Sequence, residues 1–169
     1  MNATRVLFVC TGNSCRSVMA QGLLQKQLTD MAHRLPAPVD VASAGVMAIE
    51  GMAATDETLK LLQKEGVDVS GHFARRLSDE TIRRADMIFA MEEFHRWDIV
   101  RRVPEAEGKT HLLKTYRLPE GPGPSDPNIP DPIGKPLEVY ESCFATIREA
   151  VERVVASLVS PNPTHGPTP

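Results

Sequence analysis

Apolar positions follow two rhythms along this chain. Arg5-Val6-Leu7-Phe8-Val9-Cys10 is a compact β-prone run, broken by Gly12 and Asn13. From Arg16 onward Val18, Met19, Ala20, Leu23, Leu24 and Leu28 recur at helical spacing. The pattern predicts a strand, a tight loop and a helix. Val39 to Ala44 predicts a second strand, closed by Gly45. Thr55 to Glu65 predicts a helix capped by Thr55, with Leu59, Leu61 and Leu62 on its apolar side and Gly66 ending it. Val67 to His72 reads as a short loop or edge segment. Ser78 to Arg84 predicts a short helix with Ser78 as N-cap. Asp86 to Met91 predicts a third strand, buried on both faces. Glu92 to Val103 reads as helix, and Thr110 to Leu113 is a candidate fourth strand.

Residues 119–136 hold seven of the 14 prolines. That density excludes a helix or a central strand, leaving a long loop, ordered or not. A final helix is expected over Leu137 to Leu158, with Tyr140, Phe144, Ile147, Val151, Val154, Val155 and Leu158 as its apolar stripe. Residues 1–159 are expected to form one domain and residues 160–169 a frayed Pro-rich tail. Strands alternating with helices imply right-handed crossovers and a doubly wound, three-layer α/β domain with helices on both faces of a parallel sheet. Ligands in such a sheet sit beyond the carboxyl ends of the strands, where the Cys10 loop lies.

Composition narrows the classes. The chain has 169 residues, 41% hydrophobic and 24% charged, which is an ordinary globular balance. A net charge of −3 is a poor match for a nucleic-acid binder. Three cysteines are too few for a disulfide framework. No run approaches the roughly 18 apolar residues of a membrane span. With no signal-peptide pattern at the N-terminus, a cytoplasmic protein without a membrane partner is expected.

The chemistry concentrates in Cys10-Thr11-Gly12-Asn13-Ser14-Cys15-Arg16-Ser17. A Cys ends a strand, and an Arg six positions later opens a helix. Backbone N–H groups of so short a loop can converge on one anion at a helix N-terminus. That field is expected to depress the Cys10 thiol pKa. Arg16 can chelate two phosphate oxygens through its planar fork. A thiolate beneath a phosphate cradle suits nucleophilic attack on phosphorus. Such a reaction needs no metal, because the N–H groups and Arg16 neutralise the charge. The sequence shows no metal-ligand spacing, no Walker-type loop and no G-x-G-x-x-G. A bare C-x5-R arises often by chance; the surrounding loop is what makes it specific.

This octapeptide resembles the signature of the low-molecular-weight protein-tyrosine phosphatase family. The resemblance runs from about Thr4 to Val155. It includes Ser43-Ala44-Gly45, His72 with Ala74-Arg75, Asp86 to Met91, and Asp131-Pro132 followed by Leu137-Glu138-Val139-Tyr140. It implies a four-stranded parallel sheet and no cofactor. It also implies Cys10 as nucleophile through a phosphocysteine intermediate, and Arg16 as phosphoryl binder. The phosphate-binding loop would comprise Thr11, Gly12, Asn13, Ser14, Cys15 and Ser17. Ser17 would assist the Cys10 thiolate, and Asn13 would hold the loop in its left-handed turn. Ser43 and His72 would fix Asn13. Of two Asp-Pro pairs, Asp131 matches the register of the family's general acid, and Asp126 reads as a solvated turn residue. Cys15 could form a reversible disulfide with Cys10, or be a small packing residue; Cys143 reads as core.

The implied partners are a phosphorylated protein and inorganic phosphate or another oxyanion in the loop. Phosphotyrosine is the family's default substrate. Yet Ser14 stands where tyrosine-specific members carry a bulky aliphatic residue. Val46-Met47-Ala48-Ile49 and Ile133-Gly134 offer no aromatic ring to stack on a phenyl group. Relatives that hydrolyse phosphoarginine carry a small hydroxyl residue at the Ser14 position, so phosphoarginine is the alternative. Met47, Ile49 and Ile133 are candidate pocket walls. Arsenate reductases of this fold need two further cysteines, and residues 74–100 contain none. A phosphocysteine carrier is disfavoured by Arg16 and Asp131, which would hydrolyse its intermediate.

Overall fold

β1 (Thr4–Cys10) lies inside a four-stranded parallel sheet in a computed structural model that describes residues 2–160. β2 (Val39–Gly45) flanks it on one side, β3 (Met87–Ala90) on the other, and β4 (Thr110–Leu112) forms the far edge. The spatial order is β2-β1-β3-β4, so the chain reverses direction of travel across the sheet after β2. Register pairs Cys10 with Gly45 and Val9 with Ala90. The loop after β1 therefore opens at the switch point between β2 and β3, where such sheets bind ligands.

Alternation along β1 divides the core. Val6, Phe8 and Cys10 face one apolar cluster, and Leu7 and Val9 face the other. The first cluster is filled by α1 (Arg16–Asp30), α2 (Asp56–Lys64) and α5 (Leu137–Val159). The second is covered by α3 (Asp79–Arg84) and α4 (Glu93–Arg102), through Ile82, Ile99 and Val103. Helices thus cover both faces, as the alternating pattern predicts.

Thr55 and Ser78 cap α2 and α3, accepting from the N–H groups of Thr58 and Thr81. Gly66 takes a positive φ of 76° just past the end of α2. The Pro-rich stretch forms no helix or strand, but its second half is anchored. The Ile129 N–H donates to the Met91 carbonyl, Ile129 is buried, and Lys114 donates to the carbonyls of Asp126 and Asn128. Short 3-10 turns at 32–34, 104–109 and 113–115 were not predicted; each closes one element and carries no repeating apolar stripe. The expected tail beyond residue 160 lies outside the described residues. Among those residues no helix is long and apolar enough to cross a membrane.

Candidate active site

Residues 11–15 turn from the end of β1 to the start of α1 over five residues. The turn requires a left-handed residue, supplied by Asn13 at φ 54°. Its side chain is fully buried and fully engaged. Nδ2 donates to the hydroxyls of Ser17 (2.8 Å) and Ser43 (2.9 Å), and Oδ1 accepts from the Arg75 N–H (2.8 Å). His72 Nε2 bonds the Asn13 carbonyl at 2.7 Å, and Ser43 donates onward to Gln21 at 2.6 Å. The strained conformation is thus held from β2, α1 and the segment before α3.

Gly45 closes in from β2. A Cβ there would stand 2.5 Å from the Thr11 carbonyl oxygen and 2.8 Å from the Asn13 nitrogen. The neighbouring N–H groups of Val46 and Met47 bond the carbonyls of Cys10 and Thr11. With its carbonyls held this way, the loop leaves donors over. Among the described residues no acceptor takes the backbone N–H of Thr11, Gly12, Ser14 or Cys15.

Cys10 lies beneath this loop and is buried. Its sulfur is 2.9 Å from the Ser17 hydroxyl and accepts the Asn13 N–H at 3.3 Å. The net effect on its acidity differs from the expected depression. Arg16, Ser17 and the Asn13 N–H all favour the thiolate, but full burial outweighs them and pushes the thiol up.

Arg16 opens α1 yet is only 1% exposed, so its five N–H donors must find partners inside. Nη1 donates to Glu92 Oε2 (2.8 Å) and to the Ile129 carbonyl (2.7 Å). Nη2 donates to the Thr11 hydroxyl (3.3 Å) and meets Asp131 Oδ2 at 3.1 Å. Nε is buried and has no partner among the described residues. The Nη1 side is thus occupied by protein, while the edge formed by Nε and Nη2 keeps one free donor and one exchangeable partner. That edge is the one on which an incoming oxyanion can be bound in bidentate fashion.

Asp131 is half-buried, with its second oxygen accepting the Ile133 N–H at 3.2 Å. Asp126 sits in an exposed turn where its carboxylate accepts the Asn128 N–H. Ser14 is half-buried, and among the described residues the one hydrogen-bond partner of its hydroxyl is the Cys15 sulfur at 3.8 Å. Cys15 is itself buried, with its sulfur 3.4 Å from the Thr55 hydroxyl and 3.7 Å from that of Tyr140. Burial, and Cys15 beside it, push the Tyr140 hydroxyl up to about 12. Cys143 is buried on α5, which pushes its thiol up to about 12.

Three groups of the site escaped sequence reasoning: Glu92, His95 and the Ile129 carbonyl. They lie 76 or more positions from Arg16 and reach the site only because β3 pairs with β1. The Glu92-x-x-His95 spacing at the start of α4 is a capping-like pattern that could have drawn notice.

The family profile described as low molecular weight phosphotyrosine protein phosphatase matches residues 5–162. The chain belongs to that family. Among its relatives is a protein-arginine-phosphatase of Geobacillus stearothermophilus, 38% identical over 154 residues, covering 91% of this chain and 95% of the relative. The low-molecular-weight protein-tyrosine phosphatase of T. tengcongensis has a similar structure, with TM-score 0.80 and 35% identity over 92% of this chain and all of that one. The tyrosine phosphatase Wzb from Escherichia coli K30, solved in complex with phosphate, superposes with TM-score 0.74 and 29% identity, covering 93% and 99% of the two chains. This member is therefore a phosphatase with the family's α/β fold, and the free donors of its loop stand where an oxyanion is needed.

Proposed function

We propose that this phosphatase removes phosphoryl groups from phosphorylated protein through a phosphocysteine on Cys10. One observation carries the reading: a buried thiol lies beneath a loop with four uncommitted backbone N–H groups and the free Nε–H of Arg16. These donors can take the three non-bridging oxygens and hold their charge as the phosphoryl group transfers. Charge on an oxyanion there competes with Asp131 for Nη2. Once displaced from the guanidinium, the Asp131 carboxyl is free to face the leaving atom.

The Cys10 thiol gives its proton to the incoming phosphate dianion, its Sγ then bonds phosphorus as the bond to the leaving atom breaks, and Asp131, carrying a proton taken from solvent, gives it to that atom. Water next attacks the phosphocysteine, giving its proton to Asp131, and phosphate leaves from sulfur. The Ser17 hydroxyl, 2.9 Å from the sulfur, stabilises the departing thiolate.

Phosphotyrosine is the first reading of the substrate. Met47, Ile49 and Ile133 are exposed, Met47 tied to the loop by its N–H bond to the Thr11 carbonyl and Ile133 bonded to Asp131, and they are the candidate apolar wall for a phenyl ring. Phosphoarginine is the second, favoured by the Ser14 hydroxyl, which has no strong partner of its own, and by the arginine-phosphatase relative. The test compares kcat/KM on phosphotyrosine and phosphoarginine peptides, with Cys10→Ser as blank. Phosphotyrosine turnover at least tenfold the better supports the apolar wall. A reversed ratio makes Ser14 the selecting residue, and Ser14→Ile should then invert it. Neither substrate exceeding the blank overturns the phosphatase mechanism.

A further inference from the structure

His95 is fully buried at the third position of α4 and reaches the loop through the Thr11 hydroxyl. Its two ring nitrogens have partners of opposite kind. Nδ1 accepts the Glu92 backbone N–H at 3.1 Å, a group that can only donate. The proton of a neutral ring must therefore sit on Nε2. Nε2–H then donates to the Thr11 hydroxyl oxygen, 2.8 Å away. The ring stays neutral, because burial and the adjacent Arg16 hold its pKa down to about 4 against the pull of Asp131 and Asp98.

Thr11 Oγ1 accepts a second bond from Arg16 Nη2 at 3.3 Å. Both of its lone pairs are then occupied, and only its own proton remains. No acceptor among the described residues takes that proton. We propose that His95 is a positioning residue that makes Thr11 a donor-only hydroxyl for a phosphoryl oxygen. This rests on the phosphatase reading and adds a side-chain donor to the backbone cradle. It also divides labour within the loop. Thr11 can serve an oxyanion but cannot accept from a guanidinium leaving group, whereas the Ser14 hydroxyl remains free for the leaving-group side.

Four variants and a double variant test it, with inorganic phosphate as competitive inhibitor of p-nitrophenyl phosphate hydrolysis. Thr11→Val removes the donor at nearly constant shape and should weaken phosphate inhibition about tenfold; Thr11→Ser should stay close to wild type. His95→Leu should weaken it by a similar factor. His95→Gln places an amide N–H near the Nε2 position and should recover most of the loss. The pair His95→Leu/Thr11→Val should be no worse than either single change, because the two act as one unit. Unchanged inhibition in Thr11→Val, multiplying effects in the pair, or His95→Gln as weak as His95→Leu would each overturn the proposal. Its failure is distinguishable from that of the phosphatase reading, which falls when the wild-type protein does not exceed Cys10→Ser on p-nitrophenyl phosphate or on either phosphopeptide.

Discussion

Asp131 Oδ2 meets Arg16 Nη2 at 3.1 Å, and the proposed mechanism asks the same carboxyl to protonate the leaving atom. An oxyanion taking its place on the guanidinium would free it for that second task. Asp131→Asn should therefore lower kcat on aryl phosphates by about 100-fold, the usual scale of a lost general acid, while strengthening inhibition by inorganic phosphate. Asp126→Asn should change neither. Steady-state kinetics with phosphate as inhibitor separate the two effects. Legibility at this scale followed chain distance. Asn13 could be read as left-handed because short polar side chains tolerate that region and the loop demanded it. Glu92 could not be read as a partner of Arg16, because no local pattern connects them. The acidity of Cys10 was misjudged for a related reason. The groups that lower it lie within seven residues, whereas the burial that raises it comes from the whole fold.

Elements carry their own predictions. Ser78 caps α3 at an exposed position away from the catalytic loop. Ser78→Ala should cost about 1 kcal/mol in urea unfolding, with kcat unchanged. At the start of α4, His95 has a folded pKa of about 4 against an ordinary value of 6.5. As pH falls from 6.5 toward 4, the unfolded chain takes up a proton that the folded one refuses. Stability is therefore lost over that window, by on the order of 3 kcal/mol from this group. Urea midpoints measured from pH 7 to pH 4 should fall more steeply in wild type than in His95→Gln. Equal slopes would show that the ring is protonated in the folded protein. The helices and strands themselves were legible because each has a strong period or a cap. The 3-10 turns were not, since three to six residues carry no period at all.

The whole molecule places one short loop where two rigid layers meet. β1 and α1, packed within a common core, fix its ends, and β2 braces its middle through Gly45 and Ser43. The doubly wound sheet was readable from the alternation of elements, and the site's place at the switch point follows from it. The strand order β2-β1-β3-β4 also explains which remote residues arrive. β3 delivers Glu92 and His95 just past its end, and the Pro-rich stretch adds Ile129 by bonding to Met91. Composition held no trace of these arrivals, because they depend on pairing rather than on residue type.

The bare backbone at Gly45 sets a limit on how this enzyme can be altered. A methyl group there meets main-chain atoms on two sides of the cradle, and neither can yield without moving the turn. Gly45→Ala should give a protein with far-UV circular dichroism like wild type and at least tenfold weaker phosphate inhibition. New selectivity therefore has to be engineered at the rim, at exposed positions such as Met47, Ile49, Met52 and Ile133. The cradle behaves as a cast that admits no intermediate shapes: it is inherited whole or lost.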